Sequence, residues 1–283
     1  MPTNQQRREA AKRKLERQIA RRAERAKRRR IVSTAVTVTG VVVVVGLIYL
    51  LVVLNSGDDT NTASGETTEP STPPAQTTSG PCKYVTDGKP AAKQVDVPPD
   101  VDPTPNAGTV KVALKTNQGE VPLTLGRAKA PCTVQAIEHL VKAKYYDGTT
   151  CHRLTASSGL KVLQCGDPSA QGAQGGGGPG FSFNDELTSL PKPPAEGQPI
   201  PYPRGTLAMA NSGPNTNGSQ IFMVYGDSQL PPNYTIFGTI DEGGLATLDK
   251  IAAGGITAPE GSPGPAEDGA PKNTVTIETA SIV

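Results

Sequence analysis

Between residues 107 and 283 the chain breaks into short apolar stretches separated by turn residues. Thr109-Val-Lys-Val-Ala-Leu-Lys-Thr116 alternates apolar and polar positions, the period of a half-buried strand. Asn117-Gln-Gly119 supplies a turn, and Val121-Pro-Leu-Thr-Leu125 is the returning strand. Pro131 opens a helix where its missing N–H costs nothing. Val134, Ile137, Leu140 and Val141 give that helix an apolar stripe. Further strands are predicted over residues 150–154, 162–165, 205–210, 219–224 and 234–240. Residues 243–253 read as a second helix, with Leu245, Leu248 and Ile251 on one face and Gly254 ending it. Residues 274–279 form a last alternating strand. About eight short strands and two helices predict a mainly β fold, a closed eight-stranded antiparallel barrel that leaves no sheet edge exposed. The chain has no internal repeat.

The N-terminal third follows another pattern. Residues 31–54 are 24 residues without a charge. As a helix they span about 36 Å, enough for a bilayer core of about 30 Å. The run and its basic leader are too long for a signal peptide, and no cysteine follows closely enough for a cleaved lipoprotein. It reads as an uncleaved transmembrane helix. Residues 1–30 carry 13 Lys/Arg against 3 Glu, a net of +10, whereas the remaining 253 hold 15 against 23, a net of −8. The basic side stays in the cytoplasm, so the expected location is a single-pass protein of the cell membrane with its acidic body extracytoplasmic. The basic tail acts as a topology signal drawn to anionic lipid, and no nucleic-acid partner is expected of the body. Residues 55–81 are a Ser/Thr/Pro-rich flexible linker. Residues 82–106 are an extended, Pro-rich segment held by Cys82, and 107–283 form the folded domain.

Four cysteines, Cys82, Cys132, Cys151 and Cys165, all follow the apolar run. An even count in an external domain points to disulfides, and Cys-x2-Cys zinc spacing is absent. Of the three connectivities, one follows from Cys151 and Cys165 facing each other across a strand–turn–strand unit, leaving Cys82 for Cys132. Other chemistries lack their residues. Gly172-Ala-Gln-Gly-Gly-Gly-Gly-Pro-Gly180 has no Gly-Lys-Ser/Thr after it. His139 and His152 are too few for a His-rich metal site, and no Ser-His-Asp set is apparent.

Two segments carry the chemistry. Met209-Ala-Asn-Ser-Gly-Pro-Asn-Thr-Asn-Gly-Ser-Gln-Ile-Phe-Met223 is a polar loop between two buried strand ends, a rigid wall beside an apolar pocket. Tyr145-Tyr-Asp-Gly-Thr-Thr-Cys-His-Arg-Leu154 is followed by Leu160-Lys-Val-Leu-Gln-Cys-Gly-Asp167. Together with Phe237-Gly238 and the second helix, they resemble the cyclophilins over nearly all of 107–283. The Cys-His-Arg-Leu and Leu-Gln-Cys-Gly-Asp-Pro runs are similar to those of membrane-anchored actinobacterial members.

The resemblance implies a cyclophilin-like barrel and a peptidyl-prolyl cis-trans isomerase that assists folding of exported or cell-surface proteins. It implies no cofactor and no metal, proline-containing polypeptides as partners, and a monomer. Arg153 is the catalytic candidate: at the twisted transition state the prolyl nitrogen is pyramidal and accepts a hydrogen bond that the planar amide cannot. The proline pocket falls to Phe222, Leu230 and Met209, with Val162 or Leu160 beside them; Met209 is equally readable as core. Gln164, Ala210, Asn211 and Gln220 hold the substrate backbone, Tyr234 approaches its carbonyl side, and His152 braces the strand beside Arg153. The chain also departs from the family pattern. Thr155-Ala-Ser-Ser-Gly159 is extra, Lys161-Val162 replaces a Phe-Met pair, and Ile221 replaces an aromatic residue. Gln229 stands where many relatives carry Trp, which implies weak cyclosporin affinity. The rebuilt wall keeps an alternative open, a membrane-tethered proline-peptide binding module or chaperone with little turnover.

Overall fold

A computed structural model of the chain describes residues 76–86, 88, 90–170, 176–257 and 266–283. The basic tail, the apolar run at 31–54 and most of the linker lie outside the described residues, among which no helix is long and apolar enough to cross a membrane. The described chain begins as a strap along the domain. Its strand β1 (Val85–Thr86) follows Tyr84, which is fully buried. The Tyr84 hydroxyl lies 2.8 Å from the Cys132 carbonyl and 2.9 Å from Gln135 Oε1, and its ring meets Phe181 and Phe183 edge-on. A Cys82–Cys132 disulfide ties the strap down, and Asp100 accepts the N–H groups of Cys82 and Lys83 at 2.9 Å.

The alternating segment forms the expected hairpin of β2 (Thr109–Thr116) and β3 (Gly119–Gly126). Gly119 takes φ +137°, a conformation that glycine tolerates, so the strands reverse across two residues. Val110, Val112, Leu114, Val121, Leu123 and Leu125 all point into the core. Next comes α1 (Pro131–Lys142), which has no local side-chain cap at its N-terminus. Glu186 serves instead: its carboxylate accepts the N–H groups of Cys132 (3.1 Å) and Thr133 (2.8 Å), which the helix leaves unpaired. Beyond the other end, Lys93 Nζ donates to the carbonyls of Lys144, Tyr145 and Asp147.

The remaining elements are β4 (Thr149–Thr150), β5 (Arg153–Thr155), β6 (Lys161–Cys165), β7 (Phe181–Ser182), β8 (Ile200–Tyr202), β9 (Thr206–Met209), β10 (Ile221–Gly226), β11 (Ser228–Leu230), β12 (Ile236–Ile240), α2 (Glu242–Ala253), β13 (Asp268–Gly269) and β14 (Thr276–Ile282). Ten strands make one antiparallel sheet in the order β13-β5-β6-β10-β9-β12-β3-β2-β14-β4. Two small ladders, β1-β7 and β8-β11, stand apart from it.

The sheet corrects the expected barrel. It has ten strands rather than eight, and no ladder joins its ends, β13 and β4, among the described residues. The predicted strand at 150–154 is two strands. Thr149–Thr150 pairs with β14, Arg153–Thr155 pairs with β6, and the chain passes from one end of the sheet to the other at Cys151-His152. There Cys151 N–H donates to the Val275 carbonyl and His152 N–H to that of Gln164. α2 ends where expected, with Gly254 as its C-cap. Gly254 keeps a right-handed conformation, and Gly255, at φ +83°, makes the left-handed turn.

Two apolar clusters share β10. Ile221, Met223 and Tyr225 face the main core, while Phe222 and Val224 join Val162, Ile200, Tyr202 and Ala208 on the other face. The cysteines pair as Cys82–Cys132 and Cys151–Cys165, as the strand–turn–strand reading expects. Removing the Cys82–Cys132 bond by a double Cys→Ser change should cost about 4 kcal/mol for a loop of about 50 residues. The melting temperature should then fall by roughly 10 °C. Unchanged melting would show that the strap is held without the bond.

Candidate functional site

The second cluster underlies the site, and strand register brings the polar residues to it. Arg153 pairs with Gln164 across β5 and β6, Gln164 with Phe222 across β6 and β10, and Phe222 with Ala208 across β10 and β9. Directly paired residues share a face of a sheet. Arg153, Gln164 and Phe222 therefore stand in a row on the face away from the main core. Over this row opens a cavity of about 140 Å³ lined by Arg153, Leu160, Val162, Gln164, Ala210, Asn211, Phe222, Leu230 and Tyr234. Both candidates for the side wall, Val162 and Leu160, line it.

Aromatic packing fixes the floor. Tyr234 meets Phe222 edge-on with centroids 5.6 Å apart, and Tyr202 lies 6.2 Å from Phe222. The Tyr202 hydroxyl donates to the Tyr234 carbonyl at 3.1 Å, and its burial pushes the phenol up to about 12. Sequence reasoning missed Tyr202, because Pro-Ile-Pro-Tyr-Pro203 looks like a loop rather than a strand.

A polar line crosses the row. Arg153 Nη1 lies 3.4 Å from Gln164 Oε1, Gln164 Nε2 donates to Gln220 Oε1 at 2.9 Å, and Gln220 Nε2 to the Gly177 carbonyl at 3.1 Å. Gln220 thus lines the neighbouring larger cavity, of about 390 Å³, which Gln164, Ala210 and Asn211 share with the glycine-rich segment 176–180 and Pro90. Asp167 shapes that cavity: its carboxylate accepts the N–H groups of Gly176, Gly177 and Ser169. These bonds favour its charged form and hold its pKa below the usual range despite burial.

Other expected residues fall differently. Met209 is fully buried in the main core, pairs with Ile221, and lines neither cavity. The Asn211 side chain turns to the loop, donating to the Asn233 carbonyl at 2.8 Å. His152 is buried with neither ring nitrogen hydrogen-bonded, so packing alone places it beside Arg153, and burial lowers its pKa. Of the departures, Val162 is buried in the wall, whereas Lys161 points towards Gly226. The extra segment 155–159 runs between β11 and β13, its Gly159 carbonyl accepting the Gln229 N–H and its Ala156 N–H donating to the Glu267 carbonyl.

Two acids, Asp185 and Asp268, had no signal in the sequence. Asp185 accepts the Asn215 N–H (2.8 Å) and Asn217 Nδ2 (2.9 Å), which fixes the polar loop with Asn215 at φ +60°. Asp268 meets Arg153 in a two-pronged pair, with Nε donating to Oδ1 at 2.8 Å and Nη2 to Oδ2 at 2.6 Å. That hydrogen bonding raises the Arg153 pKa further, so the guanidinium is charged at every working pH.

The family model described as cyclophilin type peptidyl-prolyl cis-trans isomerase/CLD matches residues 111–282. A probable peptidyl-prolyl cis-trans isomerase B of Mycobacterium tuberculosis is 48% identical, in an alignment covering 100% of this chain and 94% of that protein. The protein of the same description from Mycobacterium leprae is 50% identical over 71% of this chain and 66% of its own length. A solved cyclophilin type peptidyl-prolyl cis-trans isomerase from Cryptosporidium parvum, 26% identical, covers 62% of this chain and 98% of its own with a TM-score of 0.47. With the family model matching more than half of its length, this chain belongs to the cyclophilin-type peptidyl-prolyl cis-trans isomerases.

Proposed function

We propose that the chain isomerises X–Pro bonds over Phe222, with Arg153 as the catalytic group and exported or cell-surface polypeptides as substrates. One observation carries this reading: register sets a charged guanidinium beside the apolar floor of a cavity of about 140 Å³. The proline ring fills the cavity against Phe222, Leu230 and Val162. The Gln164–Gln220 line and the Ala210–Asn211 backbone take the flanking peptide groups, which continue into the larger cavity. Tyr234, edge-on to Phe222, completes the wall and approaches the carbonyl side of the substrate.

The barrier to rotation, about 18–20 kcal/mol, comes from the nitrogen lone pair delocalising into the carbonyl. As the bond twists, that pair localises on nitrogen. An Arg153 N–H directed there donates a hydrogen bond that exists only in the twisted state, the condition for raising kcat. No bond to carbon forms and no proton leaves the guanidinium. The amide returns to planarity as either isomer, and the hydrogen bond is lost.

The location rests on the uncharged run at 31–54, the +10 tail before it and two disulfides after it. We read the run as a single-pass anchor and the domain as extracytoplasmic, a monomer that assists folding of proteins emerging beside it.

In a protease-coupled Ala-Pro peptide assay with the full-length protein, Arg153→Ala should lower kcat/KM about 100-fold, or about 2.7 kcal/mol. Unchanged isomerisation in the variant would sink the mechanism. Peptide binding without turnover by the unmodified chain would make it a binding module. The kcat/KM should also be flat from pH 6.5 to 9. Arg153 stays charged, because Asp268 raises its pKa, and His152 stays neutral, because burial lowers its own. A bell-shaped profile in that range would instead implicate a titrating acid or base. Finally, Gln229 is exposed where many relatives carry Trp, so cyclosporin should bind weakly; sub-micromolar inhibition would contradict this.

A further inference from the structure

A guanidinium presents donors on two in-plane edges. In Arg153 the edge formed by Nε and Nη2 is taken by both carboxylate oxygens of Asp268. Nη1 and the outer N–H of Nη2 remain for the cavity, where Nη1 lies 3.4 Å from Gln164 Oε1. Among the described residues, no other carboxylate lies within ion-pair distance of Arg153.

The backbone delivers Asp268 to this place. β13 pairs with β5 on the side opposite β6, setting Asp268 against Thr155 and Gly269 against Leu154. The fit at Gly269 is close: a Cβ there would lie 2.6 Å from the Thr257 carbonyl oxygen, so the strand approaches only because this residue is glycine. Thr257 N–H donates to the Ala270 carbonyl and Ala156 N–H to that of Glu267, which fixes both ends of β13. Arg153 is thus held by its backbone from β6 and by its head group from β13.

We propose that Asp268 is the positioning residue for Arg153, fixing the plane of the guanidinium so that its free edge meets the prolyl nitrogen as the bond twists. This rests on the reading of Arg153 as the catalytic group. The effect belongs to the twisted state. A planar amide nitrogen accepts no hydrogen bond, so a misaligned guanidinium costs the ground-state complex little and the transition state much. Kinetic loss should therefore appear in kcat and spare KM.

The test uses the full-length protein in the same peptide assay, with peptide affinity measured by NMR titration. Asp268→Ala and Asp268→Asn should each lower kcat about tenfold, with KM and peptide affinity within about twofold. Asp268→Glu should recover most of the rate, because it can again form a two-pronged pair. Arg153→Ala combined with Asp268→Ala should be no slower than Arg153→Ala alone, the coupling expected of groups that act as one. Asp249→Ala breaks a comparable exposed pair with Arg204 far along the chain and should leave the rate unchanged. Full activity in Asp268→Ala beside a slow Arg153→Ala would overturn the inference and leave the reading of Arg153 intact. Full activity in Arg153→Ala would overturn the reading beneath it. A faster Asp268→Ala would show that the carboxylate restrains Arg153 rather than aims it. A loss confined to KM, or one matched by a melting decrease larger than that of Asp249→Ala, would reduce Asp268 to a structural contact.

Discussion

The register of β6 between β5 and β10 is the constraint on which the site depends. It sets Gln164 opposite both Arg153 and Phe222. A slip of one residue would turn Gln164 into the main core and Leu163 out into the groove. Burying an unpaired amide and exposing a leucine are both unfavourable, so the apolar–polar order of the strand already opposes the slip. The Cys151–Cys165 bond then removes the freedom at one end, since Cys165 directly follows Gln164 and faces the main core. At the other end the pairing is permissive. A bulge between Val224 and Gly226 lets Lys161 pair with Gly226, where a Cβ would lie 2.5 Å from the lysine side chain.

With the register fixed, the two sides of the groove have separate roles. On the reading proposed above, a proline ring set against the apolar floor of Phe222, Leu230 and Val162 is buried to about the same extent in both isomers and in the twisted state between them. Such uniform burial gives affinity and adds nothing to kcat. On that reading only the polar row, through the Arg153 hydrogen bond, distinguishes the twisted bond from the planar one. This clarifies what the departures from the family pattern can affect. Of the departures only Val162 lines the cavity, so on that reading it bears on affinity and sequence preference, while Arg153 and Gln164 keep their places in the row.

Legibility follows the same division. The β2–β3 hairpin and α1 announce themselves because each has one apolar face of sufficient length, and β10 because it is a continuous apolar run buried on both faces. β1, β7, β8, β11 and β13 have two or three residues each, among Pro, Gly and Ser, and their partners lie far away in sequence, so no local pattern marks them. The break at Cys151-His152 has neither Gly nor Pro to signal it. In the site, the His-Arg and Asn/Gly-rich motifs point to Arg153, Gln164, Phe222 and Leu230. Met209 reads equally as pocket or core because all four residues of β9 are buried, so alternation says nothing about which face each takes. Asp268 is 115 residues from Arg153, and only the sheet order brings them together.

The polar loop is rigid for a reason that reaches well beyond it. Asp185 fixes Asn215 and Asn217, while the next residue, Glu186, accepts the first N–H groups of α1. Glu186 N–H in turn donates to Thr235 Oγ1, beside Tyr234 in the cavity wall. The residue at the head of α1 is Cys132, bonded to Cys82 of the strap, and Tyr84 packs under the same turn. Two adjacent residues, Asp185 and Glu186, therefore couple the strap, the helix terminus, the loop and the pocket wall. Both oxygens of Glu186 are engaged, because two backbone donors and the Thr133 hydroxyl converge on them with no local cap to replace them. Truncating that side chain would leave the N–H groups of Cys132 and Thr133 without their acceptor, a cost at the helix end that adjoins the residue holding the polar loop.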